Sequence, residues 1–276
     1  MLCVGGLGLC VLLCIGNAFR WWSELATPRG RIREKLLRSP GDSLRRSLEQ
    51  LNEYLIYSVA VFLLVPMLFA WQAPILSNLW AVGFLAGLLV LCALPGFCVI
   101  RLHRAYALSL RGQRAVGEEV NQLMLDNCRV FHDFPSTQDR NISHIVVAPS
   151  GVYAIETKTY RKRRARGQLR ENEAISDGRS VQFPYAVRSA PIREARRNAA
   201  TLAQELSGAL AEPIDVKAVL ALPGWQIARH STTDVLVLNP KEIWYAIVTT
   251  APPKLSPARM ERIAYYLQQK CRDVEI

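Results

Sequence analysis

The chain has 276 residues, with 34 Lys and Arg against 23 Asp and Glu, a net charge of +11, and half of its residues are hydrophobic. Seven cysteines without a Cys-x-x-Cys pair or a Cys/His ligand spacing argue against a disulfide framework and a structural zinc site, and suit a reducing cytoplasm. The apolar excess lies in the first hundred residues, which predicts a membrane part followed by a soluble part. Residues 101–276 carry 26 Lys and Arg against 18 Asp and Glu, a net of +8. That charge points to nucleic acid or anionic lipid as the partner.

Three stretches carry no charged side chain: Met1–Phe19, Tyr54–Trp71 and Leu79–Ile100. Each is near the roughly 20 residues that a spanning helix needs. The reading is a membrane or signal-anchor helix over 1–19, a basic loop over 20–53 and a transmembrane helical hairpin over 54–100. Trp21, Trp22, Tyr54, Trp71 and Trp80 sit at the edges of these stretches, where amphipathic rings prefer to lie. Eight basic residues in 20–53, with Arg101 and Arg104 after the last apolar run, place the loop and the C-terminal domain in the cytoplasm. The expected location is thus the inner, cytoplasmic membrane, with the lipid bilayer as one partner. No ionisable group falls inside a span, so a transport path has no support.

In the soluble part, Gln113–Asn127 reads as an amphipathic helix with Val116, Val120, Leu123 and Met124 buried. Strands follow at Arg129–Phe134, Ile142–Ala148 and Val152–Thr159, the last two joined through Pro149-Ser150-Gly151. Residues 161–190 are polar and turn-rich, with short strands near Gln168–Leu169 and Val181–Phe183. A long helix runs from Pro191 to about Leu210, with Ala195, Ala199, Leu202 and Leu206 at helical spacing. Val216–Leu222 and Val235–Leu238 read as buried strands, and Lys241–Val248 and Pro257–Cys271 as closing helices. The fold class is α/β, a mixed sheet with flanking helices.

The chemistry concentrates at the end of the hairpin. Glu156 and Lys158 stand two apart on a strand and so point to one face. A carboxylate there can hold a hard cation such as Mg²⁺. An ammonium beside it can orient water or neutralise a phosphate. Arg161, Lys162, Arg163, Arg164 and Arg166 follow at once and suit phosphate contact, with Arg193, Arg196 and Arg197 extending the patch. The turn permits two registers. If Ala148 pairs with Gly151, Ser143 lies opposite Glu156; if Gly151 forms a bulge, His144 does. No Gly-rich phosphate loop or serine nucleophile elbow is present, so nucleotide-driven chemistry is not supported.

Gly117-Glu118-Glu119-Val120 with Leu123, then Val130–Phe134, then Asn141–Tyr160 resemble the nuclease-related (NERD) domain of the PD-(D/E)xK restriction-endonuclease-like superfamily. The resemblance is best over 112–160 and extends toward 248, which makes 101–276 the nuclease-like domain. It implies a restriction-endonuclease-like fold and a Mg²⁺-dependent (or Mn²⁺-dependent) hydrolase of DNA phosphodiester bonds, often joined to membrane spans. Carried over by residue, Glu118 is the helix acid, Glu156 the strand acid and Lys158 the lysine beside the attacking water. The apolar stripe nevertheless puts Glu119 nearer its edge than Glu118.

Ser143 stands where the family has Asp, and a neutral hydroxyl is a weak ligand for a hard cation. The metal would then be held by Glu156 and Glu118, with Ser143 or Glu194 as further candidates. The main alternative is a catalytically degenerate domain that binds nucleic acid at the membrane without cleaving it. A third reading is a scaffold whose basic face meets lipid or protein.

Overall fold

The computed structural model describes residues 35–70, 79–136, 141–162, 170–229, 234–249 and 252–275. The chain divides into two compact units, one holding Arg46–Tyr106 and the other Glu34–Arg45 with Ala107–Ile276.

The first unit is helical, built from most of α1 (Asp42–Ala70) and the first part of α2 (Leu79–Gln122). The apolar stretches over 54–70 and 79–100 do form helix, but membrane spans are not supported. Among the described residues, no helix is long and apolar enough to cross a membrane. Each helix is longer than its apolar stretch. α1 starts at Asp42 and carries Arg45, Arg46, Glu49 and Glu53, while α2 continues through Arg101, Arg104, Arg111 and Arg114. The expected first span over 1–19, most of the basic loop and the connector 72–78 lie outside the described residues.

The second unit centres on a five-stranded mixed sheet. Its strands are β2 (Arg129–Phe134), β3 (Ile142–Ala148), β4 (Gly151–Thr157), β8 (Val216–Ala221) and β10 (Val235–Leu238), in the order β10-β8-β4-β3-β2. β2, β3 and β4 are antiparallel neighbours, whereas β8 runs parallel to β4 and to β10. A parallel pair needs a crossover. It comes as α3 (Ala190–Leu210), preceded by three short strands: β5 (Glu173–Ser176), β6 (Val181–Phe183) and β7 (Ala186–Arg188). These three join β9 (Gln226–Arg229) in a second sheet, ordered β7-β6-β5-β9. α4 (Pro257–Cys271) follows, and β11 (Arg272–Glu275) closes the chain.

Alternation along the strands sorts the core into two layers. Ile145, Val147, Val152 and Ala154 pack with Ile192, Ala195, Ala199, Leu202 and Leu206 of α3 and with Ile263 and Leu267 of α4. On the opposite face Val146, Ala148, Tyr153 and Ile155 pack with Val116 and Val120 of α2 and with Leu123 just past its end. A fully buried leucine such as Leu202 is worth about 2–5 kcal/mol against alanine. The expected helix to Asn127 instead tightens into a 3₁₀ turn over Leu123–Asp126, ended by Asn127 in the left-handed region. The expected helix over 241–248 is a 3₁₀ turn (Pro240–Glu242) and one π turn (Tyr245–Thr249).

The N-terminal boundary of this unit also differs from the expected residue 101. β1 (Lys35–Leu37) pairs antiparallel with β11, and Asp133 caps the first turn of α1. Asp133 drops out of the β2–β3 ladder at φ 50°, a conformation that Asp tolerates better than most residues. Its carboxylate accepts from the Ser43 backbone N–H at 2.6 Å, from Ser43 Oγ at 2.7 Å and from Asn141 Nδ2 at 3.1 Å. A carboxylate at a helix N-terminus is favourable because unpaired N–H groups and the helix dipole meet it there. Arg38 adds its guanidinium, donating to the Asp133 carbonyl at 2.9 Å. Pro40 and Gly41 then lie against α2 at Gly117, Leu110 and Gln113, where a side chain on Gly117 would collide with the proline ring.

Candidate functional site

The hairpin register is decided. Ala148 pairs with Gly151 and His144 with Ile155, so Ser143 comes opposite Glu156. Both belong to the face covered by α3. The Ser143 hydroxyl oxygen accepts from the Thr157 N–H at 3.3 Å and from Gln113 Nε2 at 3.4 Å. His144 takes the other face. There its Nδ1 meets His132 Nδ1 at 2.8 Å, and His132 Nε2 meets Asn121 Oδ1 at 2.9 Å. Burial holds His132 down at about 4 and drives His144 well below the ordinary imidazole value, with His132 adding to the effect. The two rings form a neutral, packed pair and no part of the Glu156 site.

Glu156 ends β4 under α3 and is only 7 % exposed. Its Oε1 meets Lys158 Nζ at 2.9 Å, and its Oε2 accepts from Asn198 Nδ2 at 2.9 Å. The same ammonium reaches Glu194 Oε2 at 2.5 Å. Glu194 and Asn198 are four residues apart on α3, hence on one face, at the edge of its buried stripe. The Lys158 backbone N–H donates to the Ala221 carbonyl, so the lysine is tied to the sheet edge rather than to a loose loop. Lys158 and Glu194 are each about one quarter exposed, so the cluster opens toward solvent at the strand end.

Burial pushes the Glu156 carboxyl above its ordinary value, against the pull of Lys158 and Asn198. Burial alone would lower Lys158; the two carboxylates outweigh it, and the ammonium titrates above its ordinary value. Tyr160, two residues on, is pushed up by burial and carries the Arg188 guanidinium 5.0 Å over its ring.

This matches the expected pairing of Glu156 with Lys158 and brings Glu194 to the same point. It does not bring Glu118 there. Glu118 is exposed on α2, the helix that covers the opposite face of the sheet. The residue of α2 that reaches Ser143 is Gln113. Arg161 and Lys162 are exposed just past the cluster, while Arg163, Arg164 and Arg166 lie outside the described residues. Arg196 pairs with Asp234, and Arg193 donates to Ser189 Oγ at 2.6 Å. Asn198 was missed as a site residue. Its signal is the four-residue spacing from Glu194 beside a buried stripe.

The hard oxygen donors suit a divalent cation such as Mg²⁺, which is commonly held by one or two carboxylates plus water and substrate phosphate. Glu156 and Glu194 are two such carboxylates. Among the described residues, no group of three or more His, Cys, Asp or Glu is placed to hold a metal.

The family model described as nuclease-related domain, NERD, matches residues 109–223. Residues 109–223 are thus similar to a NERD domain. The match runs from the end of α2 to β8 and contains Ser143, Glu156, Lys158, Glu194 and Asn198. No curated protein and no solved structure matches the chain. That similarity suggests a nuclease-related function and nucleic acid as the partner. A mixed α/β core with helices on both faces fits the restriction-endonuclease-like fold.

Proposed function

We propose that the chain is a Mg²⁺-dependent nuclease that hydrolyses DNA phosphodiester bonds at Glu156 and Lys158. The observation that carries this reading is the contact between these two side chains at the open C-terminal end of β4, the middle strand of the sheet, beside the start of α3. Glu156 would hold the divalent ion, with Mn²⁺ as a substitute. That ion would supply Lewis-acid polarisation of the phosphate. Lys158 would hold the attacking water or the developing phosphate charge in place, since an ammonium fixed before reaction stabilises charge that develops later. Asn198 would keep the Glu156 carboxylate in one orientation. Arg161 and Lys162 would contact the phosphate backbone without reading bases.

The test is cleavage of DNA by the full-length chain with Mg²⁺, with Mn²⁺ and with EDTA, beside Glu156→Ala and Lys158→Ala. Metal-dependent cleavage by the parent and its loss in both variants supports the reading. If both variants cut as fast as the parent, the site is wrong. Ser143 favours a second reading, a degenerate domain that binds nucleic acid without cutting it. That reading is supported by salt-sensitive DNA binding from a parent that cuts with neither metal.

A further inference from the structure

We propose that Glu194 supplies, from α3, the carboxylate that position 143 lacks on β3, and that Glu156 and Glu194 together form the divalent-ion pocket. The proposal rests on the nuclease reading above and adds a residue to it. Three observations meet here.

First, Ser143 stands opposite Glu156, so the acid that the NERD resemblance implies at 143 would belong to this face and this end of the hairpin. The serine cannot stand in for it. It is neutral, and its oxygen already accepts from the Thr157 N–H and from Gln113. Second, the Lys158 ammonium lies between Glu156 Oε1 and Glu194 Oε2, at 2.9 and 2.5 Å. One cation touching both carboxylates puts their oxygens on a common centre. Third, Asn198 fastens the same helix face to Glu156, so Glu194 is carried by a rigid element and not by a loop. Two carboxylates and one ammonium leave a net charge of −1, as an acid at 143 with Glu156 and Lys158 would. A dication entering beside Lys158 finds the charge of a two-carboxylate pocket despite the serine.

A purely structural role for Glu194, as an ion-pair partner of Lys158, makes different predictions. It would change melting in EDTA and leave metal affinity alone. The experiment measures Mn²⁺ binding to the full-length chain by titration calorimetry and melting in EDTA, for the parent, Glu194→Gln, Ser143→Asp and the double variant. We expect Glu194→Gln to weaken Mn²⁺ binding at least about tenfold while melting in EDTA moves little. Adding Ser143→Asp restores binding to near the parent level, because the charge returns to the same pocket from the strand. Unchanged Mn²⁺ affinity in Glu194→Gln overturns the proposal and leaves the nuclease reading standing. So does a loss that Ser143→Asp fails to rescue. A parent that binds no Mn²⁺ overturns both.

Discussion

Two sets of buried polar side chains lie on opposite faces of the β3–β4 hairpin. Under α3, Lys158 keeps its charge because Glu156 and Glu194 surround it. Under α2, His132 and His144 have only each other and Asn121, and burial keeps both neutral. The hairpin is the same; what differs is the exposure at the strand end and the charge on the covering helix. α3 brings a carboxylate and an amide to its face, whereas α2 brings Asn121 and Gly117 to the histidines. A buried charge persists only where a partner offsets its desolvation. The α3 face therefore keeps a charged cluster, and the α2 face a neutral one.

The largest expected effect tests the charged face. Lys158→Ala should lower metal-dependent cleavage by about 10²–10³-fold, the range for removing one preorganised charge-stabilising group. Salt-dependent DNA binding should fall far less, and filter binding beside single-turnover cleavage separates the two. A matched fall in both would mean that Lys158 only holds DNA.

Next comes the clasp on the edge strand. Asp133→Ala should cost about 2–4 kcal/mol in urea denaturation of the full-length chain, since it removes the carboxylate that accepts from Ser43 and Asn141 and lies beside Arg38. A change under about 0.5 kcal/mol would make the capped N-terminus of α1 energetically irrelevant.

The neutral face predicts a pH dependence. Both histidines titrate lower in the folded chain than in the unfolded one, so the unfolded state binds more protons as pH falls. Their contribution is complete above the ordinary histidine value of 6.5 and drains as pH drops from there toward 4. His132 alone should remove about 2 kcal/mol by about pH 5. Urea denaturation across that window checks the slope, and it should flatten in a His132→Leu, His144→Leu double variant. A slope that persists there would assign the acid sensitivity elsewhere.

The smallest effect concerns the basic run. Removing Arg161 and Lys162 together should weaken DNA binding for all sequences alike. The log–log salt slope should become shallower by about 0.9 for each phosphate that is no longer neutralised. Binding isotherms at several salt concentrations measure it.

Much of the fold is readable from the residues alone. The alternation through Ile142–Thr157 marks the hairpin, because side chains of period two sort themselves onto two faces. The stripe of Ala195, Ala199, Leu202 and Leu206 marks α3 for the corresponding helical reason. Glu156 and Lys158 are legible as a pair because two residues on a strand share a face without any tertiary help. Other features are not legible. β1 and β11 are three and four residues long and acquire their pairing from opposite ends of the chain, so no local pattern announces them. β5, β7 and β9 are too short for the same reason. Apolar windows suggest spans over 54–71 and 79–100, but among the described residues no helix is long and apolar enough to cross a membrane. Glu118 follows from family spacing, which does not say which face of the sheet its helix covers.

Local periodicity therefore determined the strands, the helix stripe and the Glu156–Lys158 pair, since those depend only on geometry repeated every two or 3.6 residues. Tertiary structure decided the register that sets Ser143 opposite Glu156, the choice of Glu194 over Glu118 as neighbour, and the neutrality of the histidines. Each of these depends on which surface packs on which, and that is settled by burying two separate apolar layers at once, across separations of tens of residues.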